Sequence, residues 1–314
     1  MTGTIVKNAG SWYVVRTDDG QLLSCQVKGN FRLRGIRSTN PVAVGDRVEV
    51  KGEGLKMKGE GLFITEICDR KNYIIRKASN LSKQSHILAA NVDQVLLVVT
   101  IAHPETSTTF IDRFLASAEA YRIPVILLFN KTDLYDTAEL QRTKQLMTLY
   151  KELGYETLKC SVLNGDGMDH LDKLLCNCTT LLAGNSGVGK STLLNALVPG
   201  LEARTDVISE SHDTGQHTTT FSEMFTLPFG GDIIDTPGIK GFGTFDIERT
   251  EVSHYFREIF EIGQECRFQD CTHTHEPHCA VLQAVEEGRI ARSRFTSYLS
   301  MLDDKDEDRY RKGY

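Results

Sequence analysis

Four stretches carry residues whose types and spacing could do chemistry. The first, Leu181 to Asn195 (LLAGNSGVGKSTLLN), contains Gly184, Asn185, Ser186, Gly187, Val188, Gly189, Lys190 and Ser191, which satisfy every fixed position of G-x-x-x-x-G-K-[ST]. Glycines let the backbone curl so that successive N–H groups converge on phosphate oxygens, and a helix starting there adds its positive end. Lys190 is then placed to reach the β- and γ-phosphates and the Ser191 hydroxyl to ligate Mg²⁺, with Thr192 closing the nucleotide-binding stretch. A glycine-rich turn that binds nothing is the competing reading, and an apolar strand before the loop with a helical pattern after it weighs against that. Alone, the loop specifies only a nucleoside triphosphate.

The second stretch is Asn130-Lys131-Thr132-Asp133, directly after the apolar run PVILLF. A carboxylate at its fourth position can accept hydrogen bonds from N1–H and the exocyclic amine of guanine, a pair that adenine does not offer. Asp133 is therefore expected to choose the base, with Asn130 and Lys131 shaping the pocket. The loop from Cys160 to Gly167, which includes Ser161, caps the base through its backbone or is a plain connection. The third stretch is polar: Arg204 to Thr220 includes Gly215-Gln216-His217-Thr218-Thr219-Thr220, and Asp235-Thr236-Pro237-Gly238 follows a short strand. Thr219 is the expected second hydroxyl on Mg²⁺, Asp235 a carboxylate supporting the ion through water, and the Gly238 N–H a contact to the γ-phosphate. In the fourth, Cys266, Cys271 and Cys279 lie among His273, His275 and His278. Three thiolates with one imidazole suit a closed, structural Zn²⁺ site, and a Cys-rich shell leaves no open position for catalysis.

These stretches need elements to position them. Residues 1 to 70 read as five short strands, TIVKN, SWYVVRT, QLLSCQV, DRVEVKG and GLFITEI, with an Asp18-Asp19-Gly20 turn between the second and third. Five strands in so small a module favour an OB-fold barrel. Its loop KGNFRLRGIRSTN sets Arg32, Arg34 and Arg37 around Phe31, a mixture suited to RNA backbone and bases, although such a barrel could instead contact protein. Residues 71 to 90 read as a basic connector. Beyond it strands and helices alternate: Val92 to Thr100, a helix near Ser107 to Tyr121, Pro124 to Phe129, and a helix near Thr137 to Leu153 with one apolar stripe of Leu146, Leu149, Tyr150 and Leu153. Strands as apolar as these belong to a parallel sheet covered on both faces, with ligands beyond its carboxyl edge. Helices are expected near Thr250 to Ile262 and Val281 to Leu302, interrupted by Gly288, with Arg289, Arg292 and Arg294 available to RNA. The charged end DDKDEDRYRKGY is expected to fray.

The chain has 314 residues, 40% hydrophobic and 25% charged, which excludes disordered and fibrous classes and allows two or three domains. No apolar run is long enough to cross a bilayer and the N-terminus has no signal-peptide core, so the expectation is a cytoplasmic protein without membrane contact. In that reducing setting Cys25, Cys68, Cys160, Cys176 and Cys178 are expected as free thiols. The net charge of −6 is unevenly spread: residues 1 to 90 hold 15 Lys and Arg against 8 Asp and Glu, a balance of +7, and the remainder is at −13. A basic N-terminal module on an acidic body fits a nucleic-acid-facing domain.

GNSGVGKST, NKTD, GQHTTT, DTPG and the late Cys/His cluster together resemble the motif set of the circularly permuted GTPases of the RsgA (YjeQ/YloQ) family, because the base-reading motif precedes the phosphate loop. The resemblance covers essentially the whole chain. It implies an OB-fold RNA-binding domain over 1–70, a circularly permuted α/β P-loop GTPase domain over 71–245 and an α-helical zinc-binding domain over 246–314. It further implies GTP hydrolysis to GDP and phosphate during late maturation of the small ribosomal subunit, with that subunit and its rRNA as partners. Cys266, Cys271, His273 and Cys279 are the zinc ligands that the family motif selects, with His275 and His278 as competitors. Ile239 stands where many GTPases carry a water-orienting glutamine, so His217 is the expected substitute. Nothing demands more than a monomer. The competing functions are a P-loop small-molecule kinase, which has no use for Asp133, and an RNA-binding module whose nucleotide is not turned over.

Overall fold

The computed structural model describes residues 1–27, 42–52, 61–77, 85–201, 222–236 and 248–311. The arginine-rich loop with Phe31, Arg32, Arg34 and Arg37 lies outside the described residues, as do His217, Thr219, Gly238 and Ile239.

The five expected N-terminal strands are all present: β1 (Thr2–Asn8), β2 (Tyr13–Thr17), β3 (Leu22–Val27), β4 (Arg47–Gly52) and β5 (Leu62–Ile67). They close in the order β1-β2-β3-β5-β4 and back to β1, antiparallel except where β3 meets β5. Alternate residues turn inward, as a pleated strand requires, so Ile5, Val15, Cys25, Val48, Val50 and Ile64 fill the interior.

The stretch read as a basic connector is in fact a two-stranded antiparallel sheet, β6 (Tyr73–Lys77) with β7 (Ser85–Ala90). Burial of Ile74 and Ala89 in the core shared by the barrel and the next domain explains the pairing. The flanking lysines and arginines hid that apolar seam in the sequence.

The second layer system is a six-stranded sheet in the order β10 (Glu156–Lys159), β9 (Val125–Phe129), β8 (Gln94–Val99), β11 (Thr179–Gly184), β13 (Asp232–Asp235) and β12 (Glu223–Thr226), parallel except for β12. Helices cover both faces. On one, α1 (Thr108–Ala120) and α2 (Thr137–Glu152) bury Ile111, Phe114, Leu115 and Tyr150 over Val95, Leu97, Val99, Leu127 and Phe129. On the other, α3 (Met168–Leu175) and α4 (Lys190–Leu197) bury Leu171, Leu175, Leu193 and Leu197 over Leu96, Val98, Leu182 and Ile233. The odd and even residues of one strand thus serve opposite cores, which is why these strands are apolar throughout.

The barrel continues this sheet, because β1 lies antiparallel against the edge strand β12, with Lys7 opposite Glu223. The seam is polar: Lys7 Nζ meets Glu223 Oε1 at 2.9 Å, and the Arg16 guanidinium grips both oxygens of Asp232 at 2.7 Å. Covering β12 removes an exposed strand edge that another chain could otherwise pair with.

The C-terminal region is helical around its own core of Val252, Phe256, Ile259, Val281, Ile290, Tyr298 and Leu302. The first expected helix is divided: a 3₁₀ turn over Arg249–Tyr255 gives way at Phe256, whose backbone is extended, to α5 (Arg257–Gly263). The interruption at Gly288 is as expected and separates α6 (Ala280–Glu286) from α7 (Arg292–Arg311). Two expectations fail here. The charged end does not fray at Asp303 but continues α7 to Arg311, since nothing between Arg292 and Arg311 is Gly or Pro and strong helix formers (Arg, Leu, Met, Lys and Glu) recur through it. Arg294 is not available to RNA; it is buried, 1% exposed, between α7 and α1.

Candidate functional site

The strands β8, β9, β10, β11 and β13 run parallel, so the loops after them gather at one edge of the sheet. β11 ends at Gly184, whose φ of 141° and close approach to β8 both require glycine: a Cβ there would lie 2.4 Å from the Val98 carbonyl oxygen. At the loop's other end Gly189, φ 97°, caps α4, and a Cβ would lie 2.5 Å from Asn130 Nδ2. Asn185, Ser186, Gly187 and Val188 span the gap between them. Lys190 folds over the loop, donating to the carbonyl oxygens of Gly184 at 2.9 Å and Asn185 at 2.6 Å. Its ammonium is therefore held against the first two residues of the loop. Ser191 and Thr192 occupy the first turn of α4.

The base-reading motif and the phosphate loop brace each other. Asn130, 2% exposed at the end of β9, donates from Nδ2 to the Val188 carbonyl oxygen at 2.9 Å. The Tyr135 hydroxyl donates to the Asn130 carbonyl oxygen at 2.6 Å and accepts from Ile101 N–H at 2.8 Å, which pins the turn to β8's exit. Lys131 takes a left-handed backbone, φ 63°, and its Nζ donates to the His103 carbonyl oxygen at 2.6 Å. Burial lowers its pKa, against the pull of Asp133. The Thr132 hydroxyl reaches the Cys160 carbonyl oxygen at 3.0 Å, and Ser161 Oγ donates to Asp133 Oδ1 at 2.6 Å. So the loop after β10 does engage the base-reading turn, through the Ser161 side chain. Immediately beyond Asp133, Asp136 and Glu139 form a reciprocal capping box that starts α2 and fixes the turn from its far side.

Asp235 ends β13, level with Leu182 of β11 and opposite Glu223 of β12. Burial raises the pKa of its carboxyl, Lys190 opposes the shift, and Glu223 adds to it. Asp235 stands at the carboxyl edge on the strand next to the one that leads into the phosphate loop, where a carboxylate can meet a cation bound together with phosphate. Glu223 stands beside Asp235 through strand register, which no sequence motif records.

The structure brings together the four Cys and His residues that the family motif selects. The ligand atoms of Cys266, Cys271, His273 and Cys279 all lie within 4.8 Å of one another. Cys266 Sγ is 3.8 Å from Cys279 Sγ and 3.6 Å from His273 Nδ1, and His273 Nδ1 is 3.4 Å from Cys279 Sγ. A tetrahedral ion bonded to sulfur at about 2.3 Å and nitrogen at about 2.0 Å spaces its ligands about 3.5–3.8 Å apart, so the four groups fit such an ion. His275 and His278 are exposed and stand outside the cluster, whose histidine is His273. Burial, with the neighbouring thiols, pushes Cys271 up to about 12. Glu276, missed in the sequence, closes the loop: it accepts from Thr272 N–H at 2.7 Å, Thr272 Oγ1 at 2.6 Å and Thr274 N–H at 2.9 Å. Despite burial these bonds hold its carboxyl far below the usual range.

A phosphate loop after β11, the Asn130–Asp133 turn two strands away and Asp235 at the end of β13 on the other side, with the Asn-Lys-Thr-Asp motif first in the chain, define a circularly permuted GTPase. A family model described as RsgA GTPase matches residues 67–245, and one described as RsgA N-terminal domain matches residues 2–62. Proteins named small ribosomal subunit biogenesis GTPase RsgA are similar over full length: that of Bacteroides fragilis is 63% identical over 314 residues, covering 100% of both chains, and that of Porphyromonas gingivalis is 55% identical over 317 residues, again covering 100% of both. Among solved structures, YjeQ from Thermotoga maritima superimposes with a TM-score of 0.77 at 36% identity, covering 96% of this chain and 97% of that one. YloQ, described as a circularly permuted GTPase, gives 0.73 at 31% identity, covering 98% and 95%. The chain belongs to the RsgA family.

Proposed function

We propose that this GTPase binds the small ribosomal subunit, contacts its rRNA, and hydrolyses GTP to GDP and phosphate during late subunit maturation, as a cytoplasmic monomer. The Asn130–Val188 contact carries the nucleotide part of this reading, since it ties the base reader to the phosphate loop at one sheet edge. The names of full-length relatives at 55–63% identity support the ribosomal part. Among the described residues no helix is long and apolar enough to cross a membrane. The units assigned are a barrel over 1–70 that faces RNA, a GTPase domain over 71–245 and a metal-bearing domain over 246–314.

In this reading Asp133, with Asn130, Lys131 and Ser161, selects guanine. The amides of residues 184–191 and the Lys190 ammonium hold the β- and γ-phosphates, and the Gly238 N–H meets the γ-phosphate. Ser191, Thr219 and Asp235 would hold Mg²⁺, which supplies charge neutralisation on the β- and γ-oxygens when bound. Water attacks the γ-phosphorus, the bond to the bridging oxygen breaks with its electron pair going to GDP, and the water proton passes to the phosphates. Lys190 and the loop amides stabilise the charge that shifts to the leaving oxygen. His217 orients the attacking water. Its replacement by alanine is expected to slow single-turnover hydrolysis about 10²-fold with GTP affinity nearly unchanged. Unaltered turnover in that variant would exclude the role.

Zn²⁺ is the ion assigned to Cys266, Cys271, His273 and Cys279, and its part is structural. Cys279→Ser is expected to reduce metal content from about one ion per chain to near zero and to expose the C-terminal region to protease. A variant that keeps both its zinc and its protease resistance would remove Cys279 from the ligand set.

The deciding experiment is hydrolysis of GTP and ATP with and without purified small subunits. GTP-selective turnover accelerated by subunits is expected. Equal use of ATP would overturn the base assignment, and no response to subunits would overturn the ribosomal one.

A further inference from the structure

Three charged residues on three strands form one row across the seam between barrel and GTPase sheet. Lys7 of β1 is directly opposite Glu223 of β12, and Glu223 is directly opposite Asp235 of β13. Directly opposed residues share a face, with Cβ atoms about 4.5–5.5 Å apart, so two carboxylates stand side by side where like charges destabilise a sheet. Such a pair persists where cations offset it. Lys7 is one, with Nζ 2.9 Å from Glu223 Oε1, and it comes from a residue 216 positions away in the chain. The strap on Glu223 therefore belongs to the barrel, whereas the carboxylate beside it belongs to the nucleotide site.

We infer that Glu223 is a positioning residue for Mg²⁺, orienting the water shell of the ion beside Asp235, and that Lys7 of the barrel restrains it. The inference rests on the assignment of Asp235 to Mg²⁺. A second carboxylate near a divalent cation strengthens its hold, and an ammonium bound to that carboxylate cancels part of the gain. Both side chains of the pair are partly exposed, 43% for Lys7 and 31% for Glu223, so the effect is a modest multiple. The seating of β1 on β12 thereby sets the affinity for Mg²⁺, and a partner that shifts the barrel reads out at the nucleotide without touching it.

The test titrates Mg²⁺ into the full chain mixed with a fluorescent, non-hydrolysable GTP analogue and reads the Mg²⁺ concentration at half-maximal binding. Glu223→Gln is expected to raise that midpoint about threefold and Lys7→Ala to lower it about threefold. The double variant should match Glu223→Gln alone, because Lys7 acts only through Glu223. Lys7→Gln, which keeps the side-chain stem on the sheet, should behave as Lys7→Ala. A Lys7→Ala midpoint that is unchanged or raised, or effects that simply add in the double variant, overturns the inference while Asp235→Asn still raises the midpoint strongly. If Asp235→Asn leaves the midpoint in place, the assignment of Asp235 fails, and the inference falls with it.

Discussion

Asp133→Asn is expected to exchange guanine for xanthine as the preferred base. The carboxylate presents two acceptors, and Ser161 Oγ, donating to Oδ1 at 2.6 Å, fixes its plane. Guanine answers with two donors, N1–H and the exocyclic amine. An amide in the same place presents one acceptor and one donor, so its N–H faces the guanine amine. One hydrogen bond is lost to a donor facing a donor and the other no longer ends on a charge; with charge-assisted bonds worth about 1.5–3 kcal/mol each, the loss in GDP affinity is about 10²–10⁴-fold. Xanthine carries a carbonyl where guanine carries the amine, and the amide donor meets it. Ser161 still donates to the amide oxygen, which favours the flip that leaves the N–H free for the base. Competition binding with GDP and xanthosine diphosphate measures both changes in one titration. If the variant holds GDP as tightly as the parent, Asp133 does not read the base, and the phosphate loop stands without an assigned nucleotide.

The choice of Asp133 is legible in the sequence because each part of the nucleotide site is written locally. A phosphate loop needs its glycines within eight residues, and the base reader needs four. The barrel was legible for a related reason: its strands are short apolar runs set off by local turn signals, as β2 and β3 are by Asp18-Asp19-Gly20. What stayed hidden depends on partners distant in the chain. The β6–β7 pair was masked by Lys71, Arg76 and Lys77 around an apolar seam whose cover comes from the barrel and the GTPase sheet together. Lys7 and Glu223 are joined only by strand register across the seam. Arg294 was read as a surface cation because a helix sequence gives no hint of carboxylates 36 and 182 positions away.

That arginine carries the largest structural expectation. Arg294 donates to both oxygens of Glu258, at 2.7 and 3.0 Å, and to Asp112 Oδ1 at 2.9 Å, while its guanidinium lies 4.6 Å from the centre of the Phe256 ring. Asp112 is fully buried on α1 and also accepts from Tyr150 and Ser297. Arg294→Ala would leave two carboxylates in the interior without their cation, and breaking a buried pair from one side costs about 3–5 kcal/mol. Arg294→Lys should recover only part of this, since one ammonium cannot serve three acceptors in a planar fork. Burial already raises the pKa of Asp112 in the parent, with Arg294 opposing it, and losing the cation raises it further. A group whose pKa is higher folded than unfolded contributes stability as the neutral acid, and that contribution is lost as pH rises through the folded value. The variant's deficit should therefore be larger at about pH 8 than at about pH 5. Urea unfolding of parent and variant at both values measures it. A deficit below about 1 kcal/mol, or one that grows on acidification, would mean that Asp112 and Glu258 find other partners and that α7 is held to α1 by its apolar contacts and by the Ser297–Asp112 and Arg113–Ser300 hydrogen bonds.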